Sequence, residues 1–446
     1  MSVLRRERTY FRTMHFSLQE GGRYVLKPKM ALNCDCHGGG LRTAPKWNVL
    51  QKSNGTPIES LPQNVQRLGV IKMYNAQTGT YTERFCALDK AGAFYTQESI
   101  DAGFDKIGLG FNNAGMVRFA GTDSRYCLAL ILKNSCIFWK ENDTYDMVAI
   151  TDLTYFGCFF KHRMFVGKNP SKIAFSDAEN VLDFTQSIED GSEISFPNVG
   201  GKIVAICPFE EYLYLFFEHG ILRLDVGGEA KEFVAKELAY EGGRIFGNLV
   251  QKGEQGIYFM ATDGVYCLRG NDVTKCLADF VERPLEENTT AHAASFHGKI
   301  LFCYWTETGC KTLAVYEDGK DGFYMDALPV LTAEEGGRCL FTDENRHICQ
   351  LDEGGAYGTQ GDFFNAETDW DITGRKRLSK LRFEGVGNFV VTIRTSGRVC
   401  VRRVSLDGGW AELNLSESGE IFSFDFQLEP GTRIDSMKAD LKVLRK

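Results

Sequence analysis

The sequence predicts an all-β protein: a β-propeller of about six or seven blades, preceded by an extended N-terminal arm and followed by a small C-terminal β-domain. Three observations predict it. Forty-seven glycines against ten prolines, with 12% aromatic residues, suit many short strands joined by tight turns. Apolar strands of four to seven residues, bounded by Gly, Asn, Asp or Lys, recur along the chain, and helical periodicity is scarce. Successive units begin roughly 35–45 residues apart, the period of propeller blades, whose radial sheets leave few exposed strand edges.

The elements follow in order. Residues 1–65 contain G-G-R-Y-V-L-K-P-K-M-A-L-N-C-D-C-H-G-G-G-L-R-T-A-P-K-W and read as an arm that closes or latches the first blade. Residues 66–371 carry the repeated unit of strand, polar turn, strand, short turn and strand. Examples are I-V-A-I-C-P-F-E-E-Y-L-Y-L-F-F-E-H-G-I-L-R-L-D (203–225) and G-I-Y-F-M-A-T-D-G-V-Y-C-L-R-G (256–270). The stretch 354–371 is turn-rich and acidic. Residues 372–446 then alternate apolar and polar positions, as in a half-exposed antiparallel sheet, and form either a small β-domain or a closing blade.

At 446 residues, with 43% hydrophobic and 25% charged residues, the chain has globular composition. A net charge of -8 argues against a surface that clamps nucleic acid over its whole area. The charge is uneven: Arg5, Arg6, Arg8, Arg12, Arg23, Lys27 and Lys29 make the arm basic, 375–403 is basic again, and the central body is acidic. No apolar run reaches the roughly 18 residues of a membrane helix. The basic M-S-V-L-R-R-E-R leads into T-Y-F-R-T-M-H-F and not into an apolar run, so synthesis in a cytoplasm is expected. Fourteen cysteines, mostly scattered singly along strands, are then expected to be reduced structural thiols.

The acids of K-I-A-F-S-D-A-E-N-V-L-D-F (172–184) invite a catalytic reading. However, Thr122-Asp123, Thr151-Asp152, Thr262-Asp263 and Thr342-Asp343 place a hydroxyl residue before Asp at other strand ends. Such side chains cap backbone N–H groups in turns. Ser176, Asp177, Asp183 and Phe184 are therefore markers of a strand ending. The segment also departs from the sialidase-type S-x-D-x-G-x-T-W box. Cys34-Asp-Cys36-His37 and His347-Ile-Cys349 lack the paired spacing of a structural zinc site, so no metal, cofactor or catalytic residue is expected. Arg375, Lys376, Arg377, Lys380 and Arg382 begin the basic strip. They face either passing phosphate charge or solvent and a neighbouring subunit; the second reading is favoured because no base-stacking pattern accompanies them.

Several segments resemble a family. G-G-G-L-R-T-A-P (38–45) is similar to the opening motif of bacteriophage virion proteins related to the packaged-DNA stabilisation and tail-hub proteins of short-tailed phages, with Ala44 before Pro45 where that motif has Arg. K-I-A-F-S-D-A-E-N-V-L-D-F resembles their "I-x-[YFW]-S-D-x-x-[DN]-x-x-x-F" blade segment. The strands at 203–225 and 256–270 look like two further blade segments, and W-D-I-T-G-R-K-R-L-S-K-L-R-F-E-G looks like the start of their last β-domain.

The resemblance implies a non-enzymatic virion subunit of the tail hub, nozzle or head-to-tail connector, made in the host cytoplasm. It implies a homo-oligomeric ring, typically a hexamer, that contacts other tail proteins and touches DNA transiently and non-specifically as part of the conduit retaining and ejecting it. It carries over no site residues. An acidic wall would let DNA slide, and a basic one would hold it. The competing readings are a glycan-binding or receptor-binding propeller of the tail tip, with Tyr155, Phe156, Trp305 and Tyr324 as a sugar platform, and a cellular scaffold propeller that binds peptides at its top face.

Overall fold

The computed structural model describes residues 9–443 apart from 17–24, 63, 76–78, 109, 112–113, 119–125, 141–143, 186–191, 278–279, 287–289, 334–337, 353–359 and 369–373. Arg5, Arg6, Arg8, Arg23 and the Thr122-Asp123 pair lie outside the described residues. The described chain is built of strands, with two short 3-10 turns.

Six four-stranded antiparallel sheets stand as separate blades, and a seventh four-stranded set completes the ring while continuing into a larger sheet. The first strands of blades 1 to 7 are Val65–Asn75, Gly115–Arg118, Leu153–Phe160, Ile203–Phe209, Ile245–Lys252, His292–Phe296 and Thr332–Ala333. The reason for the ring lies in the burial pattern. Middle strands such as Tyr212–Phe217, with five successive buried residues, present apolar side chains on both faces, and only a sheet packed between two others can bury both. Each blade interface accordingly has its own core. Leu128, Leu130 and Trp139 pack with Leu88 and Phe94 between blades 2 and 1. Val330, Leu340 and Ile348 pack with Leu68, Val70 and Phe85 between blades 7 and 1, which closes the circle.

The arm does pack on the first blade: Ile58 and Leu61 share a core with Leu68, Val70 and Phe85, and Ser53 donates its N–H and its hydroxyl to the Asp101 carboxylate, both at 2.7 Å. Its strand Lys46–Val49 is the outermost strand of blade 7, in register Leu351↔Trp47 and Asp352↔Lys46. The physical reason is supply: among the described residues the local sequence of blade 7 provides three strands, Thr332–Ala333, Cys339–Thr342 and Ile348–Asp352, and its open edge takes the fourth from the arm.

The C-terminal domain also draws on the arm and on the segment assigned by sequence to the propeller. Thr9–Phe16 pairs antiparallel with Arg433–Val443 and parallel with Val25–Lys27. Val25–Lys27 pairs with Gly361–Thr368, which pairs with Ser423–Leu428. Ser423–Leu428 and Arg433–Val443 both pair with Lys376–Thr395, so the circuit closes. The sequence boundaries at 65 and 371 therefore move: the propeller comprises 65–352 plus 46–49, and the second domain comprises 361–443 plus 9–16 and 25–27. Phe16, Phe363, Phe383, Phe389 and Phe426 fill its interior, with Phe16 meeting Phe426 edge-on at 5.3 Å. Met30–Leu32 joins the domains, pairing with Gly361–Thr368 on one side and with blade 6 on the other, at Leu32↔Tyr324.

From this domain rises a hairpin of two long strands, Lys376–Thr395 and Arg398–Gly419, joined at Ser396-Gly397. Gly397 has φ +95°, a left-handed conformation that glycine adopts without penalty. Lys376–Thr395 is paired along both edges, to Arg398–Gly419 and to the two final strands. Arg398–Gly419 is 22 residues long and, among the described residues, pairs along one edge only.

Candidate functional site

The predicted marker segment is a built turn. The Ser176 side chain is fully buried. Its Oγ accepts the Met164 N–H at 2.9 Å and donates to the Asp177 carbonyl at 3.1 Å. Asp177 Oδ1 accepts the N–H groups of Glu179 at 2.6 Å and Asn180 at 3.3 Å. Asp183 Oδ1 accepts the backbone N–H and the hydroxyl of Thr185, and these bonds hold its carboxyl below the usual carboxylate range. Phe184 is buried in the core between blades 2 and 3, with Val181 and Leu182 packed against it. Asp263 and Asp343 do the same work elsewhere, accepting the N–H groups of Gly243 and His347, both at 2.8 Å.

The other sequence candidates disperse. Asp35 is buried and holds Arg42 through two hydrogen bonds of 2.9 and 2.7 Å, with the Tyr316 hydroxyl at 2.5 Å. His37 stacks on Tyr316 at 3.9 Å and places Nδ1 3.0 Å from Asp321. Among the described residues, the ligand-type atoms that converge are those of His37, Asp318 and Asp321, all within 4.8 Å of one another, while Cys34 and Cys36 are buried in the second domain's core. None of the fourteen cysteines is in a disulfide, and all except Cys310 are buried. Tyr324 is buried and hydrogen-bonded to Tyr304 at 3.1 Å, which withdraws it from a surface platform with Trp305.

The basic strip is largely neutralised within the chain. Lys376 turns inward and donates to the Glu420 carbonyl at 2.8 Å. Lys380 and Arg382 share Glu412 at 2.7 and 3.0 Å, and Arg382 also reaches Asp440 at 2.8 Å. Arg394 pairs with Asp425 and Arg403 with Glu429. Arg375 and Arg377 are exposed. Beside this strip the unpaired strand edge carries outward apolar side chains: Val399 is 62% exposed, Val401 54% and Trp410 46%, with the Lys438 ammonium 4.3 Å from the indole.

A second site lies where sequence reasoning did not look. The first strands of blades 1 to 5 enclose a channel cavity of about 270 Å³, lined by Arg67, Tyr155, Phe156, Gln251 and Lys252 among others. Glycines let these strands approach: a β-carbon at Gly115 would stand 2.0 Å from the Tyr155 carbonyl oxygen. The lining holds two cations and no carboxylate, so the acidity of the central body does not extend to the wall of this cavity. Among the described residues neither Arg67 nor Lys252 has an ion-pair partner, and Arg67 Nε is buried without a hydrogen bond. Burial lowers the Arg67 pKa, and burial together with the Arg67 charge pushes His292, on the first strand of blade 6, down to about 4. Cys207 also lines the cavity, but burial pushes its thiol up to about 12, which leaves it protonated and unreactive at neutral pH.

No protein-family model matches the chain, and no curated protein matches it. Solved propeller structures align with about two thirds of it. The WD40 domain of Neurospora crassa Pan2 is 10% identical with a TM-score of 0.43, covering 69% of this chain and 96% of that one. The Cps50 (Swd1) β-propeller domain of Myceliophthora thermophila is 11% identical with a TM-score of 0.44, covering 69% and 99%. BamB from Moraxella catarrhalis is 9% identical with a TM-score of 0.38, covering 70% and 100%.

Proposed function

We propose that this chain is a non-enzymatic structural subunit of a bacteriophage tail, acting at the hub, nozzle or head-to-tail connector as a homo-oligomeric ring, with sixfold symmetry the expectation. The observation that carries the reading is the Arg398–Gly419 edge. A strand of 22 residues with one unpaired side and outward Val399, Val401 and Trp410 is an aggregation liability in a free subunit and a joint in an assembly. Set against a different surface of the next copy, such an edge makes a head-to-tail contact, which closes a ring when the rotation closes. The rest of the molecule suits a rigid wall unit. Blade 7 is sealed by a strand from the arm, and one hydrogen-bonded sheet runs from blade 6 into the second domain. The segments that resemble the phage family support the reading of a virion protein.

The test is assembly. Light scattering and negative-stain electron microscopy of the purified protein are expected to give closed rings, and Val401→Lys combined with Trp410→Ser is expected to give monomers that melt as the wild type does. A protein that stays monomeric at high concentration, and is absent from the tail of the parent particle, overturns the reading.

A further inference from the structure

The channel cavity is independent of the assembly surface, and its chemistry is of a different kind. The chain carries a net charge of -8, yet this cavity brings together Arg67 from blade 1 and Lys252 from blade 5 with no carboxylate in its lining. Burying a guanidinium without a partner is costly, because the desolvation of the charge is not offset by an opposite charge or by filled hydrogen bonds. Several other cations have such offsets. Arg42 has Asp35, Arg382 has Glu412 and Asp440, and Lys311 has Glu282. Arg67 has none among the described residues, and its Nε lacks any acceptor.

The remaining lining is apolar and aromatic, with Met116, Tyr155, Phe156 and Val250 around the amide of Gln251. A cavity of about 270 Å³ holds more than a bare oxyanion and lies near the lower end of the range of small-ligand pockets. We propose that the channel binds a small organic anion, its phosphate or carboxylate head held between Arg67 and Lys252 and its apolar body resting on Tyr155, Phe156 and Met116. Arg67 suits the head group because a guanidinium fork matches the two oxygens of either anion. His292 is neutral at physiological pH and adds no charge of its own. Binding neutralises the field that Arg67 exerts on its ring, so occupancy is readable at that imidazole.

The experiment titrates the intact protein with phenyl phosphate, benzoate, inorganic phosphate and phenol, following the His292 ring signals by NMR and heats by calorimetry. Phenyl phosphate or benzoate is expected to saturate at millimolar concentration or below and to raise the His292 titration midpoint, and whichever of the two binds more tightly identifies the head group. Inorganic phosphate is expected to bind more weakly, and phenol not at all. Arg67→Met is expected to weaken binding at least about tenfold, the worth of one lost hydrogen bond to a charged group. It is also expected to raise the melting temperature of the unliganded protein, since it removes an unpaired charge; an arginine serving only structure would lower it. Lys252→Met provides a second variant, with weaker binding and an unchanged fold. Equal affinity in Arg67→Met, phenol binding as tightly as phenyl phosphate, or no saturable binding of either organic anion overturns the proposal.

Discussion

Gly247 of blade 5 lies against the main chain of blade 4 so closely that a β-carbon on it would stand 1.9 Å from the Val204 carbonyl oxygen and 2.9 Å from the Phe156 ring. The obstructing atom is backbone, so relief requires two blades to part. Gly247→Ala is expected to destabilise the protein by about 3 kcal/mol, the upper range of overpacking, read as a lower urea midpoint. A change below about 0.5 kcal/mol, the level of an ordinary surface substitution, would show that the blades are free to slide.

The two neighbours in the marker turn are expected to differ in cost. Ser176→Ala leaves the buried Met164 N–H without its side-chain acceptor and is expected to cost about 2 kcal/mol. Asp177→Ala removes a partly exposed cap and is expected to cost about 1 kcal/mol. Chemical denaturation of both variants gives the order directly, and a larger loss at Asp177 would reverse the assignment of cap and core.

His292 gives stability a pH dependence of known sign. Its folded pKa of about 4 lies below the ordinary histidine value of about 6.5. The unfolded chain therefore takes up a proton as pH falls through the upper value, while the folded chain does so only near the lower one. Stability from this group is complete above the unfolded pKa and declines across the window between the two, by up to about 3 kcal/mol. The difference in unfolding free energy between wild type and His292→Gln, measured at neutral pH and near pH 4.5, is expected to shrink or invert at the lower pH. A difference independent of pH would mean that the ring titrates normally.

The outward valines are expected to separate association from folding. Val401 contacts water over half its surface, so Val401→Lys is expected to alter stability by no more than about 0.5 kcal/mol while shifting sedimentation toward smaller species. Loss of the fold in that variant would place Val401 in a core and not on a joint.

The blades were legible because each writes its pattern locally, in short apolar strands and polar turns, with a Ser-Asp or Thr-Asp pair at several of the strand ends. The second domain was only half legible. Thr9–Phe16 and Gly361–Thr368 carry the same alternation as any other strand, and nothing local says that the first will pair with residues near 440 or that the second leaves the propeller. The missing fourth strand of blade 7 was equally silent. The channel cations were hidden for a related reason. Arg67 in V-Q-R-L-G-V reads as the solvent-facing residue of an alternating strand, because period-two patterning cannot tell an outer face from the wall of a channel. A usable signal was present in the glycines of the strands beginning blades 2 and 5, namely Gly115 in G-M-V-R and Gly247 in I-F-G-N, which mark where the backbones of neighbouring blades converge.

The pairing of Lys46–Val49 with Ile348–Asp352, and of Thr9–Phe16 with Arg433–Val443, sets a schedule for the newborn chain. Blades 1 to 5 are made of consecutive residues and are able to form as synthesis proceeds, since domains and local units fold as they emerge. Lys46–Val49 is made long before Ile348–Asp352, and Thr9–Phe16 long before Arg433–Val443, and closing contacts across most of the chain is the slow kind of step. Until Lys46–Val49 is seated, the growing propeller keeps an open edge where a neighbouring nascent chain of the same sequence is able to insert its own copy of that strand.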